Sequence, residues 1–235
     1  MKIIIFALVL LACGTMAQNS GYVKLSTSTI NKSQLIQDLR QLGAEYTLEK
    51  GIFQQKPKLP NGYWGLIKTE SVYRKIANGV NYYKYTVQLE NQVEPYLIQA
   101  TYIVAFRPSN GNTLVTSYSY KTIKKNYDGP IIADAPTFLD MRLLKKGSKI
   151  EAFLNEGIKF TVKDAISKGL IKKSTYSFVR IFSLKDVGYS IAPGYTYLIQ
   201  IVGKQGQNYR AQIIVYDNTY TTEHIDPIYT IYPNA

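Results

Sequence analysis

The stretch Val72-Tyr73-Arg74-Lys75-Ile76-Ala77-Asn78-Gly79-Val80-Asn81-Tyr82-Tyr83 is echoed by Val187-Gly188-Tyr189-Ser190-Ile191-Ala192-Pro193-Gly194-Tyr195-Thr196-Tyr197-Leu198. At an offset of 115 residues, Val72, Ile76, Ala77, Gly79 and Tyr82 coincide with Val187, Ile191, Ala192, Gly194 and Tyr197. The same offset pairs Ser33 with Ser148 and Leu35 with Ile150. Further on, Tyr96-Leu97-Ile98-Gln99 echoes Tyr209-Arg210-Ala211-Gln212 at an offset of 113, which implies that the second copy's hairpin turn is two residues shorter. Self-similarity at a fixed spacing reads as a duplication.

Working outward, each copy has the same order of signals. Ser33 supplies a hydroxyl that caps free N–H groups at the start of a helix, and Leu35, Leu39, Leu42 and Tyr46 follow at helical spacing to about Glu49. Pro57, Pro60 and Gly62 then break the chain. Four strand-like runs rich in Tyr, Val, Ile and Thr come next: 63–76, 80–89, 96–106 and 113–123, separated by turn residues such as Asn78-Gly79 and Pro108-Ser109-Asn110-Gly111. The second copy offers a helix over 148–167 and strands near 176–191, 195–202, 209–216 and 228–232. The expected fold class is α+β, with one helix packed on an antiparallel meander, twice. The expected boundaries are 18–125 for the first domain, 126–137 for a linker and 138–235 for the second domain. Strand alternation raises one conflict. It groups Tyr83, Tyr85, Val87 and Leu89 on one face and Tyr195, Tyr197, Ile199 and Ile201 on another, which the 115 offset maps to opposite sides of the sheet. A bulge in one copy or a one-residue error of alignment would account for it.

A strand that ends in Lys75-Ile76-Ala77-Asn78-Gly79 and resumes as Val80-Asn81-Tyr82-Tyr83 resembles the cystatin family, whose first hairpin is of the Gln-Val-Val-Ala-Gly type. The second copy, Ser190-Ile191-Ala192-Pro193-Gly194 before Tyr195-Thr196-Tyr197, resembles it as well. The resemblance implies two cystatin-like domains and inhibition of papain-like cysteine proteases. In that family an N-terminal segment and two hairpin loops form a wedge, so the implied protease-binding residues are Lys75, Ile76, Ala77, Asn78 and Gly79, with Ser190, Ile191, Ala192, Pro193 and Gly194 in the second copy. The sequence departs from the pattern in three places. Lys75 and Ser190 stand where the family has Gln, no Pro-Trp pair marks the second hairpin, and Trp64, the single tryptophan, lies too early. Those departures, with 21 tyrosines that give large contact areas with polar tips, carry an alternative: a non-inhibitory extracellular structural or assembly protein that uses the same fold for protein–protein contacts.

Composition sets the limits. The 235 residues are 46% hydrophobic and 19% charged, which is ordinary for a globular chain. Met1-Lys2, the apolar run from Ile3 to Ala12 and the small-residue exit at Ala17 describe a secretory signal peptide over 1–17, hence a secreted or lumenal protein. Leu10-Leu11-Ala12-Cys13 also has the form of a bacterial lipoprotein box, in which Cys13 would be lipidated. No other run approaches the ~20 apolar residues a membrane helix needs. A single cysteine rules out an internal disulfide framework, and with a single histidine it leaves little for a metal site or thiol catalysis. His224 has no nucleophile motif to serve, so neither an enzyme nor a cofactor is expected. Net charge is +12. Lysine clusters at Lys121/Lys124/Lys125, Lys145/Lys146/Lys149 and Lys168/Lys172/Lys173 read chiefly as solvated faces, with a polyanionic glycan as the partner if they bind one. No nucleic-acid motif accompanies them. Asn31-Lys32-Ser33 is a glycosylation sequon.

Overall fold

A computed structural model describes residues 21–94, 96–124, 136–188, 192–220 and 224–234. The expected signal peptide with Cys13, most of the expected linker (126–135), and Ser190 and Ile191 lie outside the described residues. The first half runs β1 (Val23–Lys24), α1 (Thr27–Lys32), α2 (Gln34–Phe53), β2 (Trp64–Ala77), β3 (Val80–Asn91), β4 (Tyr96–Arg107) and β5 (Asn112–Lys124). The second runs α3 (Lys149–Ser167), β6 (Tyr176–Asp186), β7 (Gly194–Gly203), β8 (Asn208–Tyr216) and β9 (Ile228–Tyr232). The strands form two antiparallel sheets, β1-β2-β3-β4-β5 and β6-β7-β8-β9, each joined in sequence order. The protein is therefore α+β with two meander sheets. Ser33 and Ser148 cap α2 and α3 as expected, accepting from the Ile36 and Glu151 N–H groups at 3.3 and 3.1 Å.

The repeat is real in the structure, but its register differs from the one that sequence identity suggests. Both β2 and β6 carry two bulges, between Leu66/Lys68 and Thr69/Ser71 and between Phe178/Arg180 and Ile181/Ser183. These positions are 112 residues apart, and so are Val72↔Tyr85 and Leu184↔Tyr197. On β4 and β8 the offset is 111, since Tyr85 faces Tyr102 while Tyr197 faces Ile213. The turn between them is one residue shorter in the second copy, not two. With this register the alternation conflict disappears: Tyr83, Tyr85, Val87 and Leu89 correspond to Tyr195, Tyr197, Ile199 and Ile201, and each set faces its own helix.

Each helix lies on its sheet through a stripe of small residues. Gly43, Thr47 and Gly51 of α2 match Gly157, Thr161 and Ala165 of α3, four residues apart in both. A Cβ at Gly43 would overlap the Tyr102 ring, and one at Gly157 would sit 2.6 Å from the Val215 methyl. The two tyrosines at matching positions then tie sheet to helix. Tyr85 Oη donates to the Ile36 carbonyl at 3.0 Å, and Tyr197 Oη donates to the Ile150 carbonyl at 2.8 Å.

The halves do not stand apart. Phe182 and Leu198, on the face of the second sheet turned away from α3, join the core built on α2. The order of layers is sheet, α2, sheet, α3. Helix α2 is thus covered on both sides, which explains why Asp38, Glu45, Thr47 and Glu49 are buried along with its leucines. Glu45 answers Lys185 at 2.9 Å and accepts from Ser183 Oγ at 2.5 Å. Arg210 is buried as well, its guanidinium 5.6 Å from the Phe106 ring centre and bonded to the Pro233 carbonyl. Burial pushes its pKa down to about 10, against the opposing pull of Asp38.

Candidate functional site: the hairpin end of the first half

The β2–β3 connection is a two-residue hairpin, with Ala77 paired to Val80. Asn78 (φ 50°) and Gly79 (φ 71°) both occupy the left-handed region, the geometry of a type I′ turn whose twist matches that of the strands. Asn-Gly is the sequence that turn prefers, so the motif fixes the tip locally. A Cβ at Gly79 would meet nothing within 4 Å. Ile76 is an apolar side chain 62% exposed beside it. Behind the tip, Arg74 donates to Asn81 Oδ1 at 3.2 Å and lies 5.9 Å from the Tyr83 ring. Burial raises the Tyr83 pKa, with Arg74 opposing, so the phenol stays neutral. The N-terminal strand runs alongside: Val23 faces Arg74, Lys24 faces Tyr73, and Lys75 lies against Gly21 with its ammonium 5.9 Å from the Tyr22 ring. The sequence-predicted residues Lys75, Ile76, Ala77, Asn78 and Gly79 therefore form one projecting unit, braced by β1.

The second hairpin of the same end is occupied. Asn110 accepts at its carbonyl from the Asn208 N–H (2.7 Å) and from Asn208 Nδ2 (3.2 Å). Gln200, fully buried, bridges across by donating to Asn112 Oδ1 at 2.9 Å and accepting from the Thr113 N–H at 3.1 Å. Arg180 donates to the Thr113 carbonyl. Gly111 (φ 74°) sits so close that a Cβ there would overlap the Asn208 carbonyl oxygen and the Asn234 amide. The turn of the second half thus sits on the loop that a three-part wedge would need free. Nothing in the sequence flagged Asn110, Asn112, Gln200 and Asn208 as a set, because they are scattered amides with no shared spacing.

The second predicted loop is not a copy of the first. Gly194 opens β7 rather than topping a turn, and its N-terminal neighbours are drawn inward: Ala192 is buried, and the Pro193 carbonyl accepts from the Asp217 N–H at 2.6 Å. A Cβ at Gly194 would strike the Val215 carbonyl. Ala192, Pro193 and Gly194 are not brought to the Lys75–Gly79 unit. They belong to the end of the second sheet near Tyr63 and Trp64, where Val187, Thr196 and Tyr216 line a shared cleft of about 340 Å³.

The other candidates are quickly placed. His224 is exposed and bonded to Asp226 Oδ1 (3.0 Å) and Asn218 Nδ2 (3.3 Å). Asn31 is exposed on α1, with its side chain open to solvent. Among the described residues no three His, Cys, Asp or Glu side chains gather as a metal site, and no helix is long and apolar enough to cross a membrane.

Comparison with known proteins adds little to this geometry. No family model matches the chain, and no curated protein does. Among solved structures, mouse fetuin-B in complex with crayfish astacin is similar at 12% sequence identity and a TM-score of 0.34, over 90% of this chain and 68% of that one. A likeness of that size fixes neither a family nor an activity.

Proposed function

We propose that the protein is a secreted, non-catalytic, cystatin-like binder. It inserts the hairpin end of its first half into the cleft of a papain-like cysteine protease and inhibits it reversibly. The observation that carries this reading is the free type I′ tip at Asn78-Gly79 with Ile76 62% exposed beside it. Such a tip needs no ordering on binding, so little of the contact energy is lost to entropy. Gly79 allows close backbone approach and Ile76 supplies apolar area. The wedge here has two parts, the β1 strand and the first hairpin, in place of three. Secretion is supported by the Met1–Ala17 pattern.

Papain and a cathepsin-type protease should be titrated with purified residues 18–235 while the sample's size is measured. The expected result is saturable, reversible inhibition by a monomer, abolished by Ile76→Asp and by Gly79→Glu with unchanged secondary structure. No inhibition at micromolar protein refutes the reading. A second reading would then stand: an extracellular structural or assembly protein. The occupied β4–β5 hairpin favours it, because Asn110, Asn112 and Thr113 are already bonded to Asn208, Gln200 and Arg180.

A further inference from the structure

The lysines that crowd together in sequence are partly neutralised in the fold. Lys149 pairs with Asp217, and Lys168 pairs with Asp164 while lying 5.6 Å from the Tyr229 ring. Lysines far apart in sequence do the opposite and converge on one surface. On the first sheet, Tyr83, Tyr85 and Tyr102 face α2, so the alternate residues face away, and among the described residues no helix packs on that outer face. One register row reads Lys68, Gln88, Gln99, Lys121 across β2–β5, the next Ser71, Thr86, Thr101, Ser119, and the next Lys24, Tyr73, Lys84, Ile103, Ser117 across β1–β5. Lys24, Lys68, Lys84 and Lys121 are all exposed.

With strands ~4.8 Å apart and ~3.4 Å per residue, Lys68 and Lys121 stand ~14 Å apart across the sheet, and Lys84 lies about as far along β3 from their row. That is too wide for one small anion to bridge. Among these rows one acid, Glu70, stands against the four lysines and is held by the Gln88 and Gln99 amides, while Glu90 at the margin is buried. Between the ammonium groups lies a strip of hydroxyls and amides, with Thr86 and Thr101 within 3.4 Å of each other.

We propose that this open sheet face binds a linear anionic polysaccharide, carrying sulfate or carboxylate groups at intervals. The spaced lysines take the charges, and the Ser/Thr and Gln strip takes the sugar hydroxyls between them. Charges at this spacing match a ligand that repeats its own charges better than a single small anion. Tyr73 and Ile103 are the large side chains of these rows, each set between lysine or serine neighbours rather than gathered into an apolar patch. The proposal is independent of the protease reading, since Lys68, Lys84 and Lys121 lie outside the hairpin unit.

Heparin is the probe, titrated into the full mature chain near physiological salt, with neutral dextran, a single-stranded DNA oligonucleotide and phosphatidylserine vesicles as competing probes. Lys68→Gln/Lys84→Gln/Lys121→Gln is compared with Lys145→Gln/Lys146→Gln/Lys173→Gln, which removes the same charge elsewhere. Heparin should bind the unaltered chain, weaken about tenfold in the first variant and less than about twofold in the second. Thermal melts should coincide, because exposed substitutions cost little. Equal weakening in both variants overturns the proposal, as does release of heparin well below physiological salt. Tighter binding of the oligonucleotide or the vesicles than of heparin also overturns it.

Discussion

Glu45 offers the sharpest test of how the halves are held together. Its side chain is only 9% exposed, yet it meets the Lys185 ammonium at 2.9 Å, accepts from Ser183 Oγ at 2.5 Å and from Gln41 Nε2 at 3.1 Å. Glu45→Ala removes one partner of an ion pair and leaves the other behind. Lys185 is 17% exposed and its ammonium is held 5.0 Å from the Phe138 ring, so it reaches water poorly, and Ser183 is buried outright. Breaking a buried pair costs about 3–5 kcal/mol, and the residual exposure of Lys185 puts this case near the low end, about 3 kcal/mol. For a chain of this size that corresponds to a fall in Tm of roughly 6–12 °C. Urea unfolding and thermal melts of the variant measure it. Replacing both charges, as Glu45→Leu/Lys185→Met, removes the orphan and should return stability to within about 1 kcal/mol of the parent. A loss under about 1 kcal/mol in Glu45→Ala, or a double variant no better than the single one, would show that this contact does not hold the second half on α2.

Three further outcomes are expected. Burial alone would raise the Glu45 pKa above its ordinary value of 4.5, but Lys185 and the Ser183, Lys185 and Gln41 hydrogen bonds outweigh it and lower it. The contribution is therefore complete above pH 4.5 and is lost as pH falls through the lower folded-state value, a loss that Glu45→Gln abolishes in acid titrations of unfolding. Gly111→Ala should destabilise by about 2–5 kcal/mol, because left-handed backbone strain adds to overlap with the Asn208 carbonyl. Gly79→Ala, with open space and a similar positive φ, should cost only about 1–2 kcal/mol of backbone strain, so equal unfolding midpoints would contradict the occupied hairpin. Tyr85→Phe and Tyr197→Phe each delete a hydroxyl that bonds the start of a helix, and each should lose about 0.5–1.5 kcal/mol in chemical denaturation. Unequal losses would argue against their equivalence.

Local chemistry made much of the fold legible. A serine before an apolar helical period marked both caps, and β-branched and aromatic runs between turn residues marked the strands. The register was written in the sequence too, but in a different signal from the one that drew the eye. Matching identities at Ile76-Ala77-x-Gly79 and Ile191-Ala192-x-Gly194 gave an offset of 115, whereas inward alternation of Tyr83/Tyr85 and Tyr195/Tyr197 required an even one, and the strand pairing makes it 112. Burial constrains which side a residue faces, and short identities do not. The site was legible only where it is local, at Asn78-Gly79. Asp38 and Glu45 have the composition of a solvated helix side, and they are buried because Ser183, Lys185 and Arg210 from the other half come to meet them. The basic sheet face escaped for the same reason: its lysines share strand rows, not sequence neighbourhoods.

The docking of Asn208 and Gln200 on the Pro108–Gly111 hairpin has a consequence for any protein that would grip this end fully. The second half behaves there as a resident ligand, held in place by the core that Phe182 and Leu198 share with α2. A visitor that needs both hairpins competes with that occupant on every encounter and loses affinity in proportion. One that uses the Asn78-Gly79 tip alone pays no such toll. The second half in this way narrows the choice of partners at this end while leaving the Asn78-Gly79 loop exposed.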